Sequence, residues 1–92
     1  MTRKGVETMK YKANVIVTLK DGVRDPQGSA IATILKRTKI ESEPNVGVGK
    51  FFTIEVEENN ETSAKAKLEH IAQEVLSNPI LEKYEITRFE AL

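Results

Sequence analysis

Along this chain the apolar and polar residues change period several times, and each change marks an element. From Tyr11 to Leu19 they alternate, with Tyr11, Ala13, Val15, Val17 and Leu19 on one side and Lys12, Asn14, Ile16 and Thr18 on the other. A period of two is that of a half-buried strand. From Pro26 to Arg37 the period lengthens, placing Ala30, Ile31, Ile34 and Leu35 on one helical face and Gln27, Lys36 and Arg37 elsewhere. Alternation returns at Val46, Val48, Phe52, Ile54 and Val56, with Lys50 interrupting the apolar side. Gly47, Gly49, Phe51, Thr53, Glu55 and Glu57 lie opposite. A strand from Asn45 to Glu57 is long, so a bend or bulge is expected near Gly49. A second helix follows from about Glu61 to Leu76, capped by Asn59-Asn60. Its expected buried stripe is Ala64, Leu68, Ile71, Ala72 and Val75, with Leu76 beside it. Asn78-Pro79 ends this helix, since proline cannot continue the ladder. Leu81 to Phe89 alternates again, Tyr84 and Ile86 facing together.

The order strand, helix, strand, helix, strand predicts an α+β fold. The expected form is a two-layer sandwich with both helices on one face of an antiparallel sheet and a long bent central strand. The other face would carry Phe51, Ile16 and Thr53, too apolar to leave in water over a wide patch, and is expected to meet another subunit. Residues 1–8 have no clear period and read as a flexible N-terminal extension to a single domain, 9–92.

Composition narrows the function classes. A chain of 92 residues is one small domain with a modest core, so association with further chains is a reasonable expectation. Fourteen basic and fourteen acidic residues give no net charge, which argues against nucleic acid as partner, because such binding rests on clustered Lys and Arg. The apolar runs are far shorter than the roughly 20 residues that span a bilayer, and no secretory signal is recognisable. Cysteine is absent, so no disulfide framework or thiolate site is available. The expected location is the cytoplasm.

Candidate chemistry is sparse. Gly47-Val-Gly-Lys50 invites a phosphate-loop reading, but Pro44 and Phe51 occupy the positions of that motif's first glycine and its Ser or Thr. The dinucleotide fingerprint fails at Phe52, and a strand offers no helix N-terminus to phosphate. His70 is the sole histidine and has no cysteine or second histidine to share a metal. No G-x-S-x-G is present. The stretch Asp21 to Ala30 is better explained locally: Asp21-Gly22 turns the chain, Asp25 is placed to cap the helix, and Pro26 suits its first position. Gln27-Gly28 is left over, since glycine in a first turn is a poor helix former.

Those leftover residues belong to a larger pattern. V-T-L-K-D-G-V-R-D-P-Q-G (Val17–Gly28) resembles the PurS family, the small subunit of phosphoribosylformylglycinamidine (FGAM) synthase. That family shows a strand ending in V-x-L-K-x-G and then D-P-Q-G opening a helix. Val48-Gly-Lys50 and Leu76-Ser-Asn-Pro-Ile-Leu-Glu-Lys-Tyr-Glu-Ile86 match the family's later motifs in order. The resemblance runs from about Met9 to Arg88. Gly47 departs from it, standing where the family often has arginine, and Lys36 to Glu43 lacks the family's small-glycine-aromatic helix ending.

The resemblance implies a subunit of an ATP-dependent carbon–nitrogen ligase of purine (IMP) biosynthesis with glutamine as amide donor. The catalytic groups, ATP and Mg would belong to the large, synthetase subunit, with no catalytic residue, cofactor or metal in this chain. Its partners would be the PurL-type synthetase subunit, the PurQ-type glutaminase subunit and further copies of itself, as dimer or tetramer. It would bridge the two larger subunits so that ammonia reaches the activated amide. Contacts are then expected from Gln27, Gly28, Lys50 and Phe51, and from Tyr84 with its ring inside and its hydroxyl at an edge. A second reading is a ligand-sensing domain that binds a metabolite at a dimer interface, with Gly47 and Gly49 lining the pocket.

Overall fold

The computed structural model describes residues 8–92, so the expected extension lies, except for Thr8, outside the described residues. Strand β1 (Met9–Leu19), helix α1 (Pro26–Arg37), strand β2 (Lys50–Glu58), helix α2 (Glu61–Ile71) and strand β3 (Glu82–Ala91) follow one another, and a π-helical turn (Ala72–Leu76) extends α2. The sheet is antiparallel with order β2-β1-β3. The first strand along the chain is therefore the central one. This is the α+β class that the hydrophobic pattern predicts.

One sheet face is covered. Tyr11, Ala13, Val15 and Val17 are buried on it, flanked by Ile54 and Val56 of β2 and Ile86 of β3, beneath Ala64 and Leu68 of α2 and Ala72 after it. Leu68 and Ala64 repeat at helical spacing and Ala13 to Val17 at strand spacing, so two periods meet in one core. Tyr11 also stacks on Phe89, ring centroids 5.5 Å apart. Phe89 stands three residues from Ile86, which simple alternation would place on the opposite face. A bulge at Thr87 and Arg88 restores the phase, since Ile86 pairs with Val15 while Phe89 pairs with Ala13.

The helices divide the work unequally. α2 lies on the sheet. α1 buries only Gly28, and the stripe expected to face the core is bare at Ala30, Ile31 and Ile34. α1 meets the rest of the chain through its first turn and through the segment 42–49 that runs back beside it. Together residues 26–49 form an arm on a molecule measuring 63 × 25 × 19 Å.

Two further differences have local causes. β2 begins at Lys50 rather than Asn45, because the backbone of Val46 and Val48 is engaged by the start of α1 (below). The expected bend therefore becomes the end of the strand at Gly49, where a Cβ would lie 2.9 Å from the carbonyl oxygen of Val17. Val75, expected in the α2 stripe, is exposed, whereas Leu76 packs beneath it. The wide π turn inserts a residue into the helical phase and rotates Val75 outward. Ser77 closes that turn, its hydroxyl donating to the Ala72 carbonyl at 2.9 Å.

Candidate subunit interface

The DPQG stretch is a clip. Asp25 caps α1 by accepting from the Gly28 N–H through Oδ1 at 2.8 Å. Its second oxygen, Oδ2, accepts from the Val48 N–H at 2.9 Å. One carboxylate thus satisfies a donor at the helix start and a donor on the returning segment. These two amides, Gly28 first, hold the Asp25 carboxyl below its ordinary value of 3.8. Glycine at 28 has a direct steric reason, since a Cβ there would sit 2.1 Å from the Val46 carbonyl oxygen. The close approach at Gly28 is made by the chain's own backbone. At Gly47, by contrast, a Cβ would meet nothing within 4 Å, so this departure from the family pattern leaves room for a side chain.

Gln27 and Lys50 come together beside this clip. With Asp25, Gly49 and Glu82 they border a hollow of about 180 Å³ at the end of the sheet. Lys50 pairs with Val17 and so lies on the covered side of β2, at its exposed end. Phe51, the next residue, points the other way. It is 62% exposed and lies directly opposite Ile16 on the uncovered face.

That uncovered face is apolar only at one end. Beyond Ile16 and Phe51 it carries Asn14 opposite Thr53 and Lys12 opposite Glu55, with Arg88 and Glu90 on the far strand. Cross-strand pairs of opposite sign suit solvent, so the patch available to a partner is narrower than the sequence pattern implied. Arg88 and Glu90 themselves form an ion pair at 3.2 Å.

Tyr84 stands apart from the other expected contacts. Its ring packs with the cluster around Val15, Val17 and Ala72, on the covered face. Its hydroxyl donates to the Glu69 carboxylate on α2, and this bond is the main reason its pKa is raised. Both halves of the side chain are thus used within the chain. Asp25's second bond, to Val48, is the contact that sequence reasoning missed. The only available signal was Gly28, which local structure left unexplained, together with the glycines at 47 and 49.

Among the described residues there is no cluster of His, Asp or Glu able to hold a metal, and no helix long and apolar enough to cross a membrane. Every buried side-chain nitrogen or oxygen described has a hydrogen-bond partner. Fold and surface together define a small antiparallel α+β module that displays apolar side chains on an arm and on one end of an open sheet face. Residues 12–90 match the family model of PurS, phosphoribosylformylglycinamidine (FGAM) synthase, and the chain belongs to that family. It is 36% identical over 83% of its length to the phosphoribosylformylglycinamidine synthase subunit PurS of Methanocaldococcus jannaschii, covering 92% of that protein. The crystal structure of the Thermotoga maritima purS subunit superposes with a TM-score of 0.76 at 28% identity, covering 98% of this chain and all of the other. A chain in the structure of PurLQS from Thermotoga maritima matches with a TM-score of 0.72 at 30% identity, over 90% of this chain and 98% of that one.

Proposed function

We propose that this chain is the assembly subunit of FGAM synthase in purine biosynthesis, acting in the cytoplasm without a catalytic residue or cofactor of its own. It holds the synthetase subunit, which binds ATP and Mg, against the glutaminase subunit, so that ammonia released from glutamine reaches the activated amide. The observation that carries this reading is the family match across nearly the whole domain, joined by the likeness to a chain of PurLQS, whose name pairs the small subunit with the two larger ones.

The physical logic is positional. Ammonia that escapes into water is protonated and diluted, so docking two active sites in register raises the rate without adding an acid or base. In this reading Phe51, with Ile16, forms the contact on the open sheet face, and Gln27 and Lys50 form a second at the end of the sheet. The chain associates with itself as well. Gly28 and Tyr84 serve indirectly, by fixing the arm and α2 in place.

The test is glutamine-dependent amidine formation by the two larger subunits with and without this chain. Activity that requires its addition supports the reading, and equal activity without it overturns the reading. Phe51→Glu, on an exposed position, is expected to lower complex activity while leaving the circular dichroism of the isolated chain unchanged.

A further inference from the structure

The three stretches that carry the family pattern, residues 17–28, 48–50 and 76–86, are far apart in sequence and meet at one hollow. Val17, Leu19 and Gln27 come from the first, Gly49 and Lys50 from the second and Glu82 from the third, around a cavity of about 180 Å³. Local structure accounts for part of this set. Val17 is buried in the core, and Gly49 lets the chain pass close to the Val17 carbonyl. Packing does not account for Gln27 or Lys50, which are exposed at the rim.

The charges around the hollow are unequally engaged. Asp25 gives both oxygens to backbone amides, those of Gly28 and Val48. Glu82 accepts from the Asn78 N–H through Oε1 at 2.7 Å, which leaves Oε2. Lys50 forms no ion pair with any described residue. It pairs with Val17 on one side of β1, and Glu82 pairs with Leu19 on the other. A cation and an anion thus flank the central strand, with about 12 Å between their backbones. The hollow is otherwise apolar, lined by Val17, Leu19, Pro26 and Val48. Because β1 continues to Leu19 while β2 starts opposite Val17, Thr18 and Leu19 also offer it a strip of main chain with no strand beside it.

A separated cation and anion over an apolar surface are complementary to a zwitterion. A dicarboxylate would set one charge against Glu82, and a diamine would set one against Lys50. The volume is below the roughly 300–1,000 Å³ of pockets for drug-sized ligands, which limits the occupant to something of amino-acid size. Lys50 against Asp25 and Glu82 leaves the wall one net negative charge, which disfavours an acidic side chain. The Gln27 amide offers both a donor and an acceptor at the rim. We propose that the hollow binds a free α-amino acid with an amide side chain, such as glutamine, its carboxylate on Lys50, its ammonium on Glu82 and its amide on Gln27. This goes beyond the assembly role and does not depend on it.

The test is an NMR titration of the full-length chain with L-glutamine. The Gly49, Lys50 and Glu82 amides are expected to shift and saturate together with a Kd of about 1 mM, as suits a half-open site. Lys50→Met and Glu82→Gln are each expected to raise that Kd about tenfold, since each removes a hydrogen bond to a charged group. Two truncated ligands separate the ends. Glutaramate lacks the ammonium and 4-aminobutanamide lacks the carboxylate, and each should bind about tenfold more weakly than glutamine. Lys50→Met should leave the Kd for 4-aminobutanamide unchanged, which a general disturbance of the fold would not. Absence of saturation up to about 20 mM, well above the expected Kd, overturns the site. Binding that survives Lys50→Met, or that is equal for glutamine and both truncated ligands, overturns the zwitterion assignment. Equal binding of L-glutamate overturns the preference for an amide. Each of these failures leaves the assembly reading standing, because that reading is tested by amidine formation.

Discussion

The sheet with α2 and the arm around α1 are held by different physics, although each consists of a helix beside extended chain. In the first, burial dominates: Val15, Ala64 and Ala72 are fully enclosed and Leu68 is nearly so. In the second, burial is almost absent, and position depends on a carboxylate with two amide partners and a glycine without a Cβ. Apolar packing is non-directional and tolerates adjustment, whereas the clip is a matter of a few tenths of an ångström. The arm can therefore be aimed accurately while presenting its isoleucines outward, which a helix anchored by those same isoleucines could not do.

The contrast is broken most severely in the core. Leu68→Ala is expected to cost about 2–5 kcal/mol in urea unfolding, while Ile34→Ala on the arm changes the stability of the dilute chain by no more than about 0.5 kcal/mol. Similar losses at both positions would mean that α1 packs on its own sheet after all. Next comes Gly28→Ala, whose methyl would collide with the Val46 carbonyl. An overpacked position of this kind costs about 1–3 kcal/mol. The effect should be local, so that amide exchange quickens at Val48 while the amides of Val15 and Val17 keep their protection.

Acid provides a milder break. The folded pKa of Asp25 lies below its ordinary value of 3.8 because the Gly28 and Val48 amides favour the charged form. A lowered carboxyl pKa stabilises the folded arm above pH 3.8, and that contribution is lost as pH falls through the depressed value. The Gly28 and Val48 amide resonances should therefore titrate together below pH 3.8, and Asp25→Asn should abolish the titration. The Ala13 amide, buried in the middle of β1 between Ile54 and Phe89, should not follow it.

How far these regions could be read from sequence follows the same division. The β1 alternation and the Ala64, Leu68 repeat identify the covered face because burial writes a period into the chain. The α1 stripe at Ala30, Ile31 and Ile34 has an equally good period, yet these residues are exposed, since a period marks an apolar face and does not say whether its own sheet covers it. The reach of Asp25 to Val48 spans residues that no local pattern connects. The bulge in β3 was legible in principle, since Ile86 and Phe89 are apolar at a spacing that fits neither strand nor sheet face without one inserted residue. The π turn was less so, because Val75 and Leu76 are both apolar and either could have faced the core. Among the proposed contact residues, the exposure of Phe51 was readable from alternation. Tyr84 was not separable from the core by pattern, because a residue on the covered side of an edge strand can face α2 or a partner.

The smallest expected effect lies at the far end of α1. Lys39 has φ 61°, in the left-handed region that costs a non-glycine residue about 1 kcal/mol. It stands where helices commonly end in glycine, and the bonds from Ile40 N–H to Leu35 O and from Lys39 N–H to Lys36 O, each 3.1 Å, complete that ending. Lys39→Gly should therefore stabilise the helix end by up to about 1 kcal/mol, reduced by the greater freedom of glycine in the unfolded chain. If the arm and the sheet are separate units, the gain appears in the exchange of the last α1 amides and leaves the urea midpoint of the sheet unmoved. A shift of the whole transition would instead make the clip at Asp25 strong enough to join both regions into one cooperative fold, since stability can pass between them within the chain only through that junction and the segment beside it.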